Sequence, residues 1–576
     1  MALLCAGAAL AVARALLPGG RGTALWREQR RTRELHASGG GAGEQDRFRV
    51  GALPWAPGEA PLGPSFAGTV PVRRTASDDP GASLFFWYFP AQARAASGAG
   101  GSPAPPLILW LQGGPGSSSM IGLFNEMGPL RTDGRGRLLR NNDTWNSDFG
   151  MLFVDNPVGT GFSFVGSPSK PPSPVGPPSR DAPDAKTMRI DSQEADEAAS
   201  LGSSEPCAST IAGAHRRGVD TADPPRFVDG FAANQAAVAH DLIAFLDRFY
   251  DLFPEQRHAP LYIAGESFAG KYLPHLAWHI DHVNAERAVQ NRLESSMAGE
   301  DKSRHVQVVD HAAGLSEEQL AASSTLLAPA PIPLSGIMIG NGLTDPASQI
   351  AYHAPLALAL GLVSRAQASE IAQLAATAVG FICQGEWRKS LALRSRMFDY
   401  FFNVTGGINW YDVRKGDVPN DWSAMNAFLQ LPETKASLNL APDAVFSKDP
   451  RVYRHLEEDI MRSAAGIVAS LLEKQYRVLL YQGQFDFRDG IMGSSEWIEN
   501  MQWHGADGFR AAERRVWRTA TKSGDTALHV AGYTRHFEAL SRVELLHAGH
   551  LAPMDQGPAS KRMVQDWIAS RGPFAE

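Results

Sequence analysis

Residues 261–270 read LYIAGESFAG: an apolar run, Leu261-Tyr262-Ile263-Ala264, then a carboxylate and a hydroxyl among small residues. A short apolar run of this kind suits a strand buried on both faces. Ending it on Gly265-Glu266-Ser267-Phe268-Ala269-Gly270 lets the chain turn sharply into a helix and lifts the Ser267 hydroxyl off the sheet edge. Upstream, AANQAAVAHDLIAFLDRFYDLFP places Val238, Leu242, Phe245, Leu246 and Phe249 on one helical face. Helix, strand, tight turn and helix in succession predict an α/β protein with helices on both faces of a sheet.

Working outward, strands are expected at 84–89, 107–111, 151–154, 337–339, 478–481, around 527–530 and at 543–546, with a last helix at about 558–570. In an open α/β sheet, sites form beyond the carboxyl ends of strands. Those ends carry QGGPGSSS after 107–111, DNPVGTGFSF after 151–154, GNG after 337–339, QGQFDFRDG after 478–481 and HAGHLAP after 543–546. Ser267, Asp486 and His550 thus occur in the chain order of an α/β-hydrolase triad. Imidazole can take the serine proton near neutral pH, and a buried carboxylate holds the required tautomer. Asp489 and His547 are the nearby rivals for the acid and the base. The elbow departs from G-x-S-x-G at Ala269, which is still small. Gly113-Gly114-Pro115-Gly116 lacks a following Gly-Lys-Ser/Thr, so it fits an oxyanion hole rather than a phosphate cradle. The expected donors are the N–H groups of Gly114 and Phe268.

The whole chain of 576 residues, 44% hydrophobic and 20% charged, can bury a large core. With 54 basic and 61 acidic side chains its net charge is −7, which argues against a general nucleic-acid or anionic-membrane binder. Residues 1–34 read as a leader: 1–20 are apolar with the length of a secretory signal, while Arg-rich 14–27 leave an organellar transit peptide as the alternative. No later run is long and apolar enough to span a membrane. Gly, Pro and Ala enrichment predicts a mobile segment over 35–64. Two insertions are expected, at 166–224 and 285–330, the first Pro-rich and then acidic and Ser-rich. The helical pattern of 347–470, with Ser364 and Gln367 spaced for a capping box, predicts a lid between core parts 65–346 and 471–576. The three cysteines allow one disulfide at most once Cys5 leaves with the leader, that between Cys207 and Cys383. Asn142 and Asn403 stand in Asn-x-Thr glycosylation acceptors. No Cys/His cluster suggests a metal, and no cofactor is expected.

Five stretches together resemble the serine carboxypeptidases: LWLQGGPGSSSMIGLFNEMGP, WNSDFGMLFVDNPVGTGFSF, LYIAGESFAGKYLPHLA, IMIGNGLTDP and AGHLAPMDQGPAS. The LQGGPG form, with Gln where most members have Asn, is similar to the vitellogenic-like carboxypeptidases. The resemblance implies an α/β-hydrolase fold, a mostly parallel sheet, and removal of single residues from peptide C-termini. It also implies that Gln112, Gly113, Glu126 and Glu266 hold the substrate's terminal carboxylate. Two carboxyls facing a carboxylate repel it unless they share a proton, so binding is expected to favour acidic pH. The rivals are an acyltransferase on the same scaffold, a lipase or esterase, and a non-catalytic binding protein.

Overall fold

The computed structural model describes residues 43–75, 80–93, 104–166, 223–299, 329–520 and 527–575. The expected leader, Cys207, the 166–224 insertion apart from its two ends, and 300–328 of the second insertion lie outside these residues.

The central sheet has eleven strands. Ten of them, β1 (Phe66–Thr75), β2 (Pro80–Phe89), β3 (Leu107–Leu111), β4 (Gly150–Val154), β5 (Leu261–Glu266), β6 (Leu334–Gly340), β7 (Arg477–Gly483), β8 (Arg515–Thr519), β9 (His529–Phe537) and β10 (Leu540–Leu545), run in the order β1-β2-β4-β3-β5-β6-β7-β10-β9-β8. Strands β4, β3, β5, β6, β7 and β10 pair in parallel, and antiparallel pairs flank them on both sides. This is the mostly parallel sheet of an α/β-hydrolase. Leu261 and Ile263 enter the core on one face of β5, Tyr262 and Ala264 that on the other, as the two-residue period of a strand requires.

Helix α1 (Met120–Asn125) follows the glycine-rich turn after β3. Helix α2 (Gln235–Leu252) buries the whole predicted stripe from Val238 to Phe249, and α3 (Ala269–Gly299) starts at the end of the elbow. Between β6 and β7 the chain leaves the sheet as a helical block that includes α4 (Arg365–Gln384), α5 (Trp387–Val404), α6 (Ser423–Gln430), α7 (Pro450–Ile460) and α8 (Ala465–Glu473). Ser364 and Gln367 form the expected capping box at the start of α4. Helix α9 (Gly557–Ile568) packs on the sheet face opposite α2 and α3.

Two parts differ from expectation. Residues 43–64 have defined seats: Phe48 meets the Phe86 ring at 5.5 Å, Gly51 N donates to Ser437 O at 2.8 Å, and Leu138 N to Pro54 O at 2.8 Å. The Gly and Pro content masked these few anchors. Strand β1 was also hidden, because Pro71 interrupts its apolar pattern. It lies at the sheet edge with a register shift between Pro71 and Arg73, where a missing N–H costs no ladder bond.

Candidate active site

The elbow is built as the sequence requires. Ser267 has a φ of 61°, and it is partly exposed between buried neighbours. Such a left-handed conformation is strained for a side-chain-bearing residue. It is held by three backbone bonds: Ser267 N to Gly340 O at 3.0 Å, and Gly270 N and Leu343 N to Ser267 O at 2.9 Å each. A Cβ on Gly113 would lie 2.5 Å from Phe268 N and 2.8 Å from Ser267 Cβ. Only glycine therefore lets the turn after β3 come this close to the elbow. Among the described residues the Gly114 and Phe268 N–H groups have no protein acceptor, so both are free for a substrate oxygen. Asp155 steadies the turn from the end of β4, accepting from Ser118 Oγ (2.5 Å), Ser119 N (3.1 Å) and Phe162 N (3.0 Å).

Asp486, wholly buried, takes His550 Nδ1 at 3.0 Å on its Oδ2. Of the rivals, Asp489 lies beside Asp486, to whose Oδ1 its N–H donates at 3.3 Å, but its carboxylate pairs with Arg394 at 3.2 Å, and His547 is exposed. Burial works against charge on His550, but the charge and hydrogen bond of Asp486 outweigh it and hold the imidazole pKa above its usual value. Two amides complete the seat of Asp486. Asn341 Nδ2 donates to Oδ2 at 2.9 Å and Gln482 Nε2 at 3.0 Å, while Ser494 Oγ donates to Gln482 Oε1 at 3.1 Å. Neither amide was assigned a role from sequence. The one signal was position, since both stand at the ends of strands, and Asn341 takes a φ of 44° that asparagine tolerates. The helical block also reaches in: His550 N donates to Tyr411 O at 2.7 Å, and the two rings lie 5.0 Å apart.

The four residues implied for carboxylate binding come together on the other side of the elbow. Gln112 is locked, with Oε1 accepting from Trp110 Nε1 at 2.9 Å and Nε2 donating to Glu266 Oε1 at 2.5 Å. Its extra methylene relative to Asn is absorbed by this two-sided clamp. Glu126 and Glu266 are each 1% exposed. With both ionised, Glu126 Oε1 and Oε2 and Glu266 Oε2 would have no donor among the described residues. One proton held between the carboxyls satisfies one oxygen of each and leaves one Glu126 oxygen without a donor among the described residues. Burial pushes Glu126 up to about 7. Burial, then the charge of Glu126, pushes Glu266 well above the usual carboxylate range.

A family model described as serine carboxypeptidase matches residues 61–190, 225–315 and 312–570. The chain belongs to the serine carboxypeptidase family. As a serine carboxypeptidase it is a hydrolase. It is 30% identical over 513 residues to serine carboxypeptidase-like 50 of Arabidopsis thaliana, covering 89% of each chain. It is 27% identical to the probable serine carboxypeptidase CPVL of Homo sapiens, covering 88% of this chain and 84% of that one. The crystal structure of Kex1(delta)p, a prohormone-processing carboxypeptidase from Saccharomyces cerevisiae, matches with a TM-score of 0.66 at 21% identity, over 91% of this chain and 96% of that one. That likeness agrees with the α/β-hydrolase fold.

Proposed function

We propose that this serine carboxypeptidase releases the last residue of a peptide through an acyl-enzyme on Ser267. His550 takes the Ser267 proton as the hydroxyl attacks the last peptide carbonyl, and then protonates the departing amine. Asp486 orients the imidazole and stabilises its charged form. The Gly114 and Phe268 N–H groups receive the developing oxyanion. Water, activated by His550, then releases the shortened peptide. The terminal carboxylate rests on Gln112, the Gly113 backbone, and Glu126 and Glu266 sharing a proton. What supports this reading is the buried Asp486–His550 pair together with two buried glutamates short of donors, one of them next to Ser267 in the elbow.

The glutamate pair gives an exopeptidase a way to demand a free C-terminus. On the acid side the rate falls as His550 takes up a proton; on the alkaline side binding weakens as the glutamates lose theirs. The optimum is therefore expected between the two titrations, nearer neutrality than the resemblance alone implies, because His550 is held above its usual value. The helical block between β6 and β7 acts as a lid that shapes the side-chain pockets. Cys383 is disulfide-bonded, its partner lying outside the described residues. Such a bond suits an oxidising compartment. With the apolar start of the chain and the exposed Asn142 and Asn403, it supports a secretory-route protein carrying glycans at those positions.

Mass analysis of a peptide mixture tests this directly. Single C-terminal residues should be lost from free acids and not from the matching C-terminal amides, and a fluorophosphonate probe should label the protein but not Ser267→Ala. Equal cleavage of acids and amides would refute the carboxylate cradle.

A further inference from the structure

Arg488, two residues beyond Asp486, is a half-buried cation with no carboxylate at ion-pair distance among the described residues, although its charge reaches Asp489. Its backbone is fixed: its N–H donates to Trp410 O at 2.9 Å, and its carbonyl lies 3.3 Å from His353 Nε2. Its guanidinium carbon stands 4.6 Å from the Phe398 ring centroid and 5.9 Å from those of Trp410 and Tyr411. Among the described residues no carboxylate pairs with it. Asp489, the nearest candidate in sequence, accepts from Arg394 at 3.2 Å, and Asp486 is occupied by Asn341, Gln482 and His550. Two guanidinium groups, of Arg394 and Arg488, flank Phe398 against that one paired aspartate. Stacking on rings holds a guanidinium in place and leaves its planar donor edge open for a bidentate carboxylate.

The position of Arg488 says which part of a substrate it meets. Tyr411 is a shared neighbour, its ring 5.9 Å from the guanidinium carbon and 5.0 Å from the imidazole centroid of His550. The charge of Arg488 acts on His550 and on Tyr453 of α7. The glutamate pair meets the elbow through Glu266, next to Ser267, and a second run of neighbours, His550, Tyr411 and Arg488, shares no hydrogen bond with it among the described residues. A peptide with its terminus on the glutamates and its last carbonyl at Ser267 extends its acyl side toward the guanidinium.

We infer that Arg488 is a specificity residue that binds an acidic side chain on the penultimate residue of the substrate, the one that becomes the acyl group. This rests on the carboxypeptidase site described above. The test uses N-blocked peptides ending in Glu-Leu or Gln-Leu, assayed for leucine release at about pH 5.5, where a glutamyl side chain is mostly ionised. The full-length wild-type enzyme should favour Glu-Leu in kcat/KM by about tenfold. Added salt should erode that ratio, and Arg488→Gln should bring it close to one. The salt series needs no variant, so it decides the matter even if Arg488→Gln folds poorly. Equal rates in wild type, a ratio unmoved by salt and by Arg488→Gln, or an acid preference confined to peptides ending in Leu-Glu over Leu-Gln would overturn the inference while leaving the carboxypeptidase reading intact. No leucine from either peptide would overturn both.

Discussion

The two proposed anion-binding ends of this site would work by opposite means. At the glutamate end, two carboxyls 1% exposed are clamped beside Gln112 and Trp110, and an affinity for a carboxylate there would depend on a proton. At the Arg488 end, a half-buried guanidinium is held by aromatic faces. The first end would be a switch set by acidity, and the second a field screened by salt. The triad serves both, so substitutions can be sorted by which end they move.

The triad itself should give the largest effect. Asp486→Asn should lower kcat by about four orders of magnitude, because the amide favours the wrong imidazole tautomer. The loss should be alike for acidic and neutral penultimate residues, as measured by steady-state kinetics on the two leucine peptides. Unequal losses would mean that Asp486 also shapes the Arg488 end.

Next comes the glutamate end. Glu266→Gln removes the titration and one acceptor while keeping the amide in place beside Gln112. KM for free-acid peptides at acidic pH should rise by about tenfold to a hundredfold, and the alkaline fall in kcat/KM should flatten. A profile that keeps its alkaline fall would assign that fall to another group. Gln482→Met should be milder, lowering kcat by about tenfold with KM unchanged, because it frees one side of Asp486 without touching either anion site. A change in KM instead would place Gln482 in binding.

The smallest effect is on stability. Glu126, Glu266 and Asp155 all have pKa values raised chiefly by burial, Glu126 and Asp155 to about 7. Each binds its proton more tightly folded than unfolded. Their contribution is full below the ordinary carboxylate range and is lost as pH rises through the raised values, about 7 for Glu126 and Asp155. Tm should therefore be higher at pH 5 than at pH 8, and Glu266→Gln should reduce the difference by about 2 °C. A wild-type Tm that rose across this interval would show that other groups dominate.

Legibility in the sequence followed the same division. The buried parallel strands were readable because they are continuous apolar runs: 107–111 is β3 residue for residue. The three residues proposed as a triad could be singled out because each stands within a few residues of the end of such a run. Edge strands were not: Pro71 broke the pattern of β1, and β8, with alternating exposed and buried residues and three charged or polar positions, looked like loop. Asn341 and Gln482 were quoted among strand ends without a role, because an amide after a strand is indistinguishable from an ordinary turn residue until its partner is known. Arg488 was hidden for the same reason. Its meaning lies in the absence of a carboxylate at ion-pair distance among the described residues, which no local window can reveal.

The backbone bond from His550 to Tyr411 ties the proposed proton carrier to the excursion between β6 and β7. Pocket diversification by mutation is thus not independent of turnover. Residues of α4 to α8 facing solvent can vary freely, but drift around 409–413 would retune chemistry along with selectivity. Engineers seeking new substrates would do better to alter ring and charge identity while leaving that short main-chain anchor alone.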